Sequence, residues 1–136
     1  MRVLGLDVGS KSIGIAVTDE LDLSAHAVTT LDRKGTKRDV TAILEYCKEY
    51  ATTKVVVGMP YEMDGAFGKR AVRVQVFADA LAQAGVTVEF CDERYSTVEA
   101  ESILLQADLS RHKRRQVIDQ LAAQVILQRW LDANRT

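Results

Sequence analysis

Proline occurs once in the 136 residues, cysteine and histidine twice each, and aromatic residues make up only 6% of the chain. The lone Pro60 follows an apolar run and reads as the end of a strand, so no proline-rich linker divides the chain. Cys47 and Cys91 lie far apart with no C-x-x-C spacing, which leaves no framework for disulfides or a structural zinc. They are expected to be two packed thiols in a reducing cytoplasm. With only His26 and His112, the chain is poorly equipped for a histidine zinc site. Charge of either sign is not in excess: eighteen basic residues against nineteen acidic give −1. That excludes a histone-like polycation and an acidic tail, though not a local basic patch. No apolar run approaches the roughly 18–20 residues of a membrane span. The N-terminal stretch Met1-Arg2-Val3-Leu4-Gly5-Leu6-Asp7 carries a charge inside the only possible signal-peptide core, so a signal peptide is not expected. The expectation is one non-membrane domain, residues 1–136, in the cytoplasm.

The chain has hydrophobic patterning in regular blocks. Arg2 to Val8 reads as a buried strand, Gly9-Ser10-Lys11 as a turn, and Ser12 to Thr18 as the second strand of a hairpin. Ala25 to Leu31 is a third strand. Thr41 to Tyr50 places Ile43, Leu44 and Cys47 at helical spacing. Lys54 to Gly58 holds Val55-Val56-Val57, a short strand buried on both faces. Gly65 to Ala84 carries Val72, Val76, Ala80 and Leu81 as a helical stripe ended by Gly85. Val86 to Cys91 is the fifth strand. Ser96 and Glu99 form a capping-box pattern at the start of another helix. A polar, basic break covers Asp108 to Arg115, and a last helix runs from about Gln116 to Leu131. A meander followed by β-α-β-α-β predicts an α/β fold with a mixed sheet and helices on both faces. Right-handed crossovers set the later strands parallel to the first.

Three acidic positions stand out against this pattern. Asp7 interrupts the most apolar strand, on the face shared with Val3 and Gly5. A carboxylate there needs a partner, a hydrogen bond or a cation, unless it merely holds the Gly9 turn. Asp92 and Glu93 directly follow the fifth strand, at the carboxyl end where open α/β sheets gather ligands. Strand alternation turns only one of them to such a site, and a solvated loop paired with Arg94 is the other reading. Asp119 continues a stripe of Ala122, Ala123, Ile126 and Trp130. It is either a core-facing carboxylate or an acid favoured by a helix N-terminus. Three converging carboxylates would suit a hard cation, Mg²⁺ or Mn²⁺, and such ions can drive phosphodiester hydrolysis.

Basic residues cluster in three places: Arg111, Lys113, Arg114 and Arg115; Lys69, Arg70 and Arg73; and Arg33, Lys34, Lys37 and Arg38. Lys11 in the hairpin turn adds another cation. Each group is either a phosphate-binding patch or a solvated helix end. None contains an aromatic ladder for stacking single-stranded bases. The glycine spacing of Gly5 to Lys11 is not that of a P-loop.

Four segments together resemble one family. They are Leu4 to Gly14, Val57-Gly58-Met59-Pro60 with Met63-Asp64-Gly65, Asp92 to Thr97, and Lys113 to Ala123. The chain is similar to the YqgF family, also called RuvX, bacterial nucleases of precursor 16S rRNA. These are distant relatives of the RuvC Holliday-junction resolvases in the ribonuclease H-like superfamily. The resemblance implies a ribonuclease H-like fold, a five-stranded mixed sheet flanked by helices. It implies Asp7, Glu93 and Asp119 as catalytic and metal-ligating acids, with Asp92 as the alternative to Glu93. Lys11, Lys69, Arg70, Arg73, Arg94, Arg111, Lys113, Arg114 and Arg115 would contact nucleic acid. In RuvC-like enzymes the second acid lies on the fourth strand, where this chain has Val55 to Met59 and no acid. Ser10 stands where the family commonly has threonine.

The implied activity is metal-dependent cleavage of structured RNA, at the 5′ end of precursor 16S rRNA, by a monomer or homodimer. Cleavage of branched DNA is the variant within the family. A noncatalytic nucleic-acid-binding factor of ribosome assembly or transcription is the alternative of another class. Actin-like ATPases open with a similar Asp-x-Gly hairpin, but they close a second comparable domain over nucleotide.

Overall fold

The computed structural model describes residues 2–21, 23–94, 100, 102, 103, 105 and 111–134, with the side chains of 111–116 excepted. Five strands form one sheet: β1 (Leu4–Val8), β2 (Ser12–Thr18), β3 (Ala25–Asp32), β4 (Lys54–Met59) and β5 (Thr87–Asp92). Among the described residues three helices with full bounds accompany it: α1 (Thr36–Glu49), α2 (Lys69–Gln83) and a long C-terminal helix, here α3 (Arg111–Asn134). The strand order is β3-β2-β1-β4-β5. β1, β2 and β3 pair antiparallel, whereas β4 runs parallel to β1 and β5 parallel to β4. The meander and the two crossovers thus have the directions expected of short hairpins and helical connections.

Side-chain alternation assigns the two faces. Leu4, Leu6 and Val8 of β1 pack with Val40, Ile43 and Cys47 of α1 and with Val74, Phe77 and Leu81 of α2. On the opposite face Val3, Ala16 and Val56 pack against Ala123, Ile126, Leu127 and Leu131 of α3. Val55, Val56 and Val57 are wholly inaccessible, because helices cover both sides of β4. Cys47 is a buried free thiol and Cys91 a half-buried one, and burial pushes both thiols up.

α3 approaches the sheet unusually closely, and three glycines permit it. A Cβ on Gly5 would lie 2.7 Å from Leu127 Cβ and 3.3 Å from the Ala123 carbonyl oxygen. A Cβ on Gly14 would run into the backbone of Asp119, and one on Gly58 would lie 2.5 Å from Ile126 Cδ1. Gln124 and Gln128 of α3 also hold the edge strand: Gln128 Oε1 accepts from Ala25 N–H at 2.9 Å and Gln124 Nε2 donates to the Ala25 carbonyl at 3.0 Å.

Element boundaries differ from the sequence expectation in three places. α1 begins at Thr36, five residues before Thr41, because Gly35 adopts φ +119° and turns the chain directly into the helix. α2 begins at Lys69 and not at Gly65. Gly65 has φ +88° and donates its N–H to the Glu62 carbonyl, while Asp64 accepts from the Ala66 N–H, so this stretch is a turn. α3 begins at Arg111, so the basic run is helical and not a break, in keeping with the good helix propensity of lysine and arginine. The helix start at Ser96 and Glu99 lies outside the described residues.

The basic group at Arg33 also has another role. Arg33 Nε donates to Asp39 Oδ2 at 2.6 Å, its Nη1 donates to the Gly9 carbonyl at 2.9 Å, and its guanidinium lies 5.2 Å from the centre of the Phe77 ring. It ties the β1–β2 turn to α1 and α2. Burial raises the Asp39 carboxyl, but hydrogen bonds from Arg33 and from the Lys34 and Gly35 N–H groups hold it below its ordinary range.

These contacts set the response of stability to substitution and to pH. Gly14→Ala must push α3 off the sheet, and it should lower the unfolding free energy in urea by about 3 kcal/mol. Removing one member of a buried ion pair strands the other, so Arg33→Met should cost about 3 kcal/mol at neutral pH. A carboxyl held low stabilises the fold above its unfolded pKa of about 3.9 and loses that contribution as pH falls through its folded value. The stability gap between wild type and Asp39→Asn should therefore be constant near neutrality and close below about pH 4.

Candidate active site

The site is built where β1 ends. Asp7 belongs to the β1 face that α3 covers, the face of Val3 and Gly5, and it pairs across the hairpin with Gly14. Because Gly14 has no side chain, the Asp119 backbone rests directly on it. The Asp119 carboxylate then accepts a hydrogen bond from Ser12 Oγ. Asp119 is close enough for its charge to act on Asp7.

Glu93 enters from the residue after β5. Met59 and Asp92 are register partners, and the Glu93 N–H donates to the Met59 carbonyl at 3.1 Å. Its side chain passes over the bare backbone of Gly58: a Cβ there would sit 3.0 Å from Glu93 Cβ and 3.2 Å from Glu93 Cδ. Glu93 is only 6% exposed. Its carboxyl is close enough to that of Asp7 for a hydrogen bond between them. Gly58 is the residue that sequence reasoning missed. The signal was a glycine inside an otherwise β-branched run, a mark of close approach.

Asp92 turns the other way. Its carboxylate is gripped by Arg94, with Nη2 at 2.7 Å and Nε at 2.9 Å from Oδ2, and it also accepts from the Arg94 N–H at 2.9 Å. Burial raises this carboxyl, but the Arg94 hydrogen bonds and charge bring it below its ordinary range. Of the adjacent acids, Glu93 meets Asp7 and Asp92 does not. Arg94 also donates to the Met63 carbonyl at 3.3 Å, so its guanidinium braces the loop.

The Asp7 carboxyl lies above its ordinary pKa. Burial is the main cause and the Asp119 charge adds to it, while the hydrogen bond with Glu93 and the charge of Arg70 act in the opposite direction. Among the described residues no three His, Cys, Asp or Glu side chains form a closed cluster able to hold a metal ion. The structure brings Asp7 and Glu93 together and leaves Asp119 beside them, engaged by Ser12.

The donor chemistry nevertheless suits a hard divalent cation. Carboxylate oxygens are the preferred ligands of Mg²⁺ and Mn²⁺. Two neighbouring acids can both ionise beside a cation. Lys11, Lys69, Arg70 and Arg73 are exposed on the turn and the start of α2. The side chains of Arg111, Lys113, Arg114 and Arg115 lie outside the described residues.

The acid pair gives a stability test of its own. A carboxyl with a raised folded pKa costs nothing below its unfolded value of about 3.9 and opposes folding increasingly as pH climbs past it. Asp7→Asn should therefore raise the melting temperature by a few degrees at pH 7 in EDTA. Added Mn²⁺ should raise the melting temperature of the wild type and leave that of the variant unchanged.

Comparison with known proteins agrees with this architecture. A model of the RuvX family, described as Holliday junction resolvase, matches residues 1–133. A Myxococcus xanthus protein named "Putative pre-16S rRNA nuclease" is 54% identical over 136 residues, which covers 99% of this chain and 90% of the relative. A Moorella thermoacetica protein of the same name is 48% identical over 133 residues, covering 97% and 95%. Among solved structures, RuvC of T. thermophilus in complex with a Holliday junction aligns with a TM-score of 0.57 and 19% identity, over 98% of this chain and 95% of that one. The Fowlpox virus resolvase in complex with Holliday junction DNA aligns with a TM-score of 0.63 and 11% identity over the whole of both chains. These two likenesses show the ribonuclease H-like fold. The family match over residues 1–133, with relatives at 48–54% identity, places this chain in the RuvX family of nucleases.

Proposed function

We propose that the protein is a divalent-cation-dependent endonuclease that hydrolyses phosphodiesters at the 5′ end of precursor 16S rRNA, in the cytoplasm. The observation that carries this reading is the hydrogen-bonded pair Asp7 and Glu93, two carboxyls brought together at the end of β1 with Asp119 beside them. Structure alone gives little reason to place such a pair there, because unpaired buried carboxylates oppose folding. The names of the relatives at 48–54% identity support RNA as the substrate.

Asp7 and Glu93 would hold the ion, with Asp119 as the third carboxylate. When bound, Mg²⁺ or Mn²⁺ would neutralise phosphate charge and lower the pKa of attacking water. The chain's own residues do the rest. Glu93, nearly inaccessible and tethered through Met59, keeps the acid pair in place. Ser12 fixes the direction of the Asp119 carboxylate. Arg70, whose charge acts on Asp7, would hold a phosphate oxygen of the strand being cut. Lys11, Lys69 and Arg73 would position neighbouring phosphates, a role that sets register and salt dependence more than sequence preference.

A second reading, cleavage of branched DNA, draws on the family's description as a Holliday junction resolvase. One experiment separates the readings. Purified protein is incubated with a precursor 16S rRNA 5′ substrate and with a four-way DNA junction, in Mn²⁺, Mg²⁺ or EDTA. Cutting of the RNA is expected with either ion and not in EDTA, and Asp7→Asn should reduce the rate at least about 10³-fold. Cutting of the junction alone would assign the enzyme to DNA. Binding of either substrate without cutting by wild type would identify a noncatalytic assembly factor instead.

A further inference from the structure

A groove of about 800 Å³ opens past the end of β1, on the α1 and α2 side of the sheet, between the β1–β2 turn, the β3–α1 loop and the start of α2. Its size is within the range of pockets that take small organic ligands. Val8, which turns to the face opposite Asp7, forms part of its wall. Arg33 forms another part, but its charge is already spent on Asp39 and its Nη1 on the Gly9 carbonyl. The remaining cations are Arg70 and Arg73, on one turn of α2. Both are exposed, and among the described residues neither has an ion-pair partner.

Beside these guanidiniums the helix presents two valines. Val72 and Val76 are four residues apart, 49% and 57% exposed, and both line the groove. Val76 is the outward continuation of a helix whose inward stripe, Val74, Phe77 and Leu81, already fills the core. Neither valine is needed there for folding. An apolar strip flanked by two free guanidiniums fits a ligand with an anionic end and a flat, weakly polar body. A phosphate ester of a nucleoside has both. An apolar peptide would leave the arginines unanswered, and an inorganic anion would leave the valines so.

We propose that this groove seats one whole nucleotide of the substrate strand, its phosphate on Arg70 and Arg73 and its base against Val72 and Val76. The proposal rests on the nuclease reading and extends it from phosphate contacts to a base-accepting subsite at the β1–β2 turn, on the α2 side of the sheet. Arg70 lines the groove and its charge also acts on Asp7, so the seated nucleotide belongs to the same stretch of strand as the phosphate to be cut. The enzyme then measures position by a bound base as well as by backbone charge.

The test uses the full chain carrying Asp7→Asn, titrated by calorimetry with adenosine 5′-monophosphate, ribose 5-phosphate and inorganic phosphate. The monophosphate should bind about tenfold more tightly than ribose 5-phosphate. Val76→Gln, a change at an exposed position, should remove that advantage and leave ribose 5-phosphate unaffected, whereas Arg73→Ala should weaken both esters about tenfold. Equal binding of all three probes, or an advantage untouched by Val76→Gln, would overturn the proposal in favour of a simple anion patch. Absence of binding by any probe at millimolar concentration would overturn it outright. Cleavage by the wild-type chain is measured separately. Normal cutting with no base advantage sinks the subsite alone, and a base advantage without cutting sinks the nuclease reading alone.

Discussion

The close approach of α3 to the sheet is the constraint on which the rest of the site depends. Asp119 and Asp7 come from elements more than a hundred residues apart in sequence, and they meet because the helix lies almost on the backbone of β1, β2 and β4. Gly5, Gly14 and Gly58 sit under it, facing Leu127, Asp119 and Ile126. Ala122 and Ala123 keep the helix side of the contact thin. Ordinary side chains at these positions would hold helix and sheet near the usual separation of about 10 Å. The carboxylates would then face each other across a gap. The glycines weaken β propensity locally, and the loss is offset by apolar burial of Val56, Ile126 and Leu127 on the same face.

That rigid frame holds a locally unfavourable arrangement. Asp7 is raised chiefly by burial, and the nearest group that hydrogen-bonds it is another acid. The opposite charge within reach is Arg70, on an exposed helix start. Elsewhere the protein treats acids differently. Asp39 is paired with Arg33 and accepts from backbone N–H groups, Asp92 is held by Arg94, and Asp19 caps its own loop through Leu21, Leu23 and Ser24. Acids that serve the fold are satisfied within it. The Asp7 carboxyl is instead raised by its burial and by the Asp119 charge, and violations of local consistency of this kind concentrate at functional sites.

The architecture was legible because strand alternation and helical spacing are strong, local signals. The face of Asp7, the double burial of Val55 to Val57 and the parallel direction of β4 and β5 all followed from them. Helix starts were less legible. The α1 start depends on Gly35 at positive φ and on Asp39 accepting from Lys34, a tertiary arrangement that composition presents only as a polar, basic stretch. Arg33 illustrates the same limit: among Lys34, Lys37 and Arg38 it reads as surface charge, yet it bridges the hairpin turn, α1 and Phe77. For the acidic pair, alternation dictated that one member faces the site. It could not say which, because the choice depends on the register of β5 against β4.

That register also accounts for the missing acid on β4. Met59 pairs with Asp92, so the following residue, Glu93, starts level with the end of β4 and is tied there through its N–H to the Met59 carbonyl. From that position its side chain folds back across the strand toward β1. It can do so because residue 58 contributes no Cβ; even a methyl group would crowd both Glu93 and Ile126. The glycine on β4 and the glutamate after β5 are therefore one device. An acid projecting from β4 and an acid reaching over a glycine on β4 deliver a carboxyl to the same neighbour. The second route, however, makes the acid's position depend on three features at once: the β4–β5 register, the close packing of α3, and the absence of a side chain at Gly58.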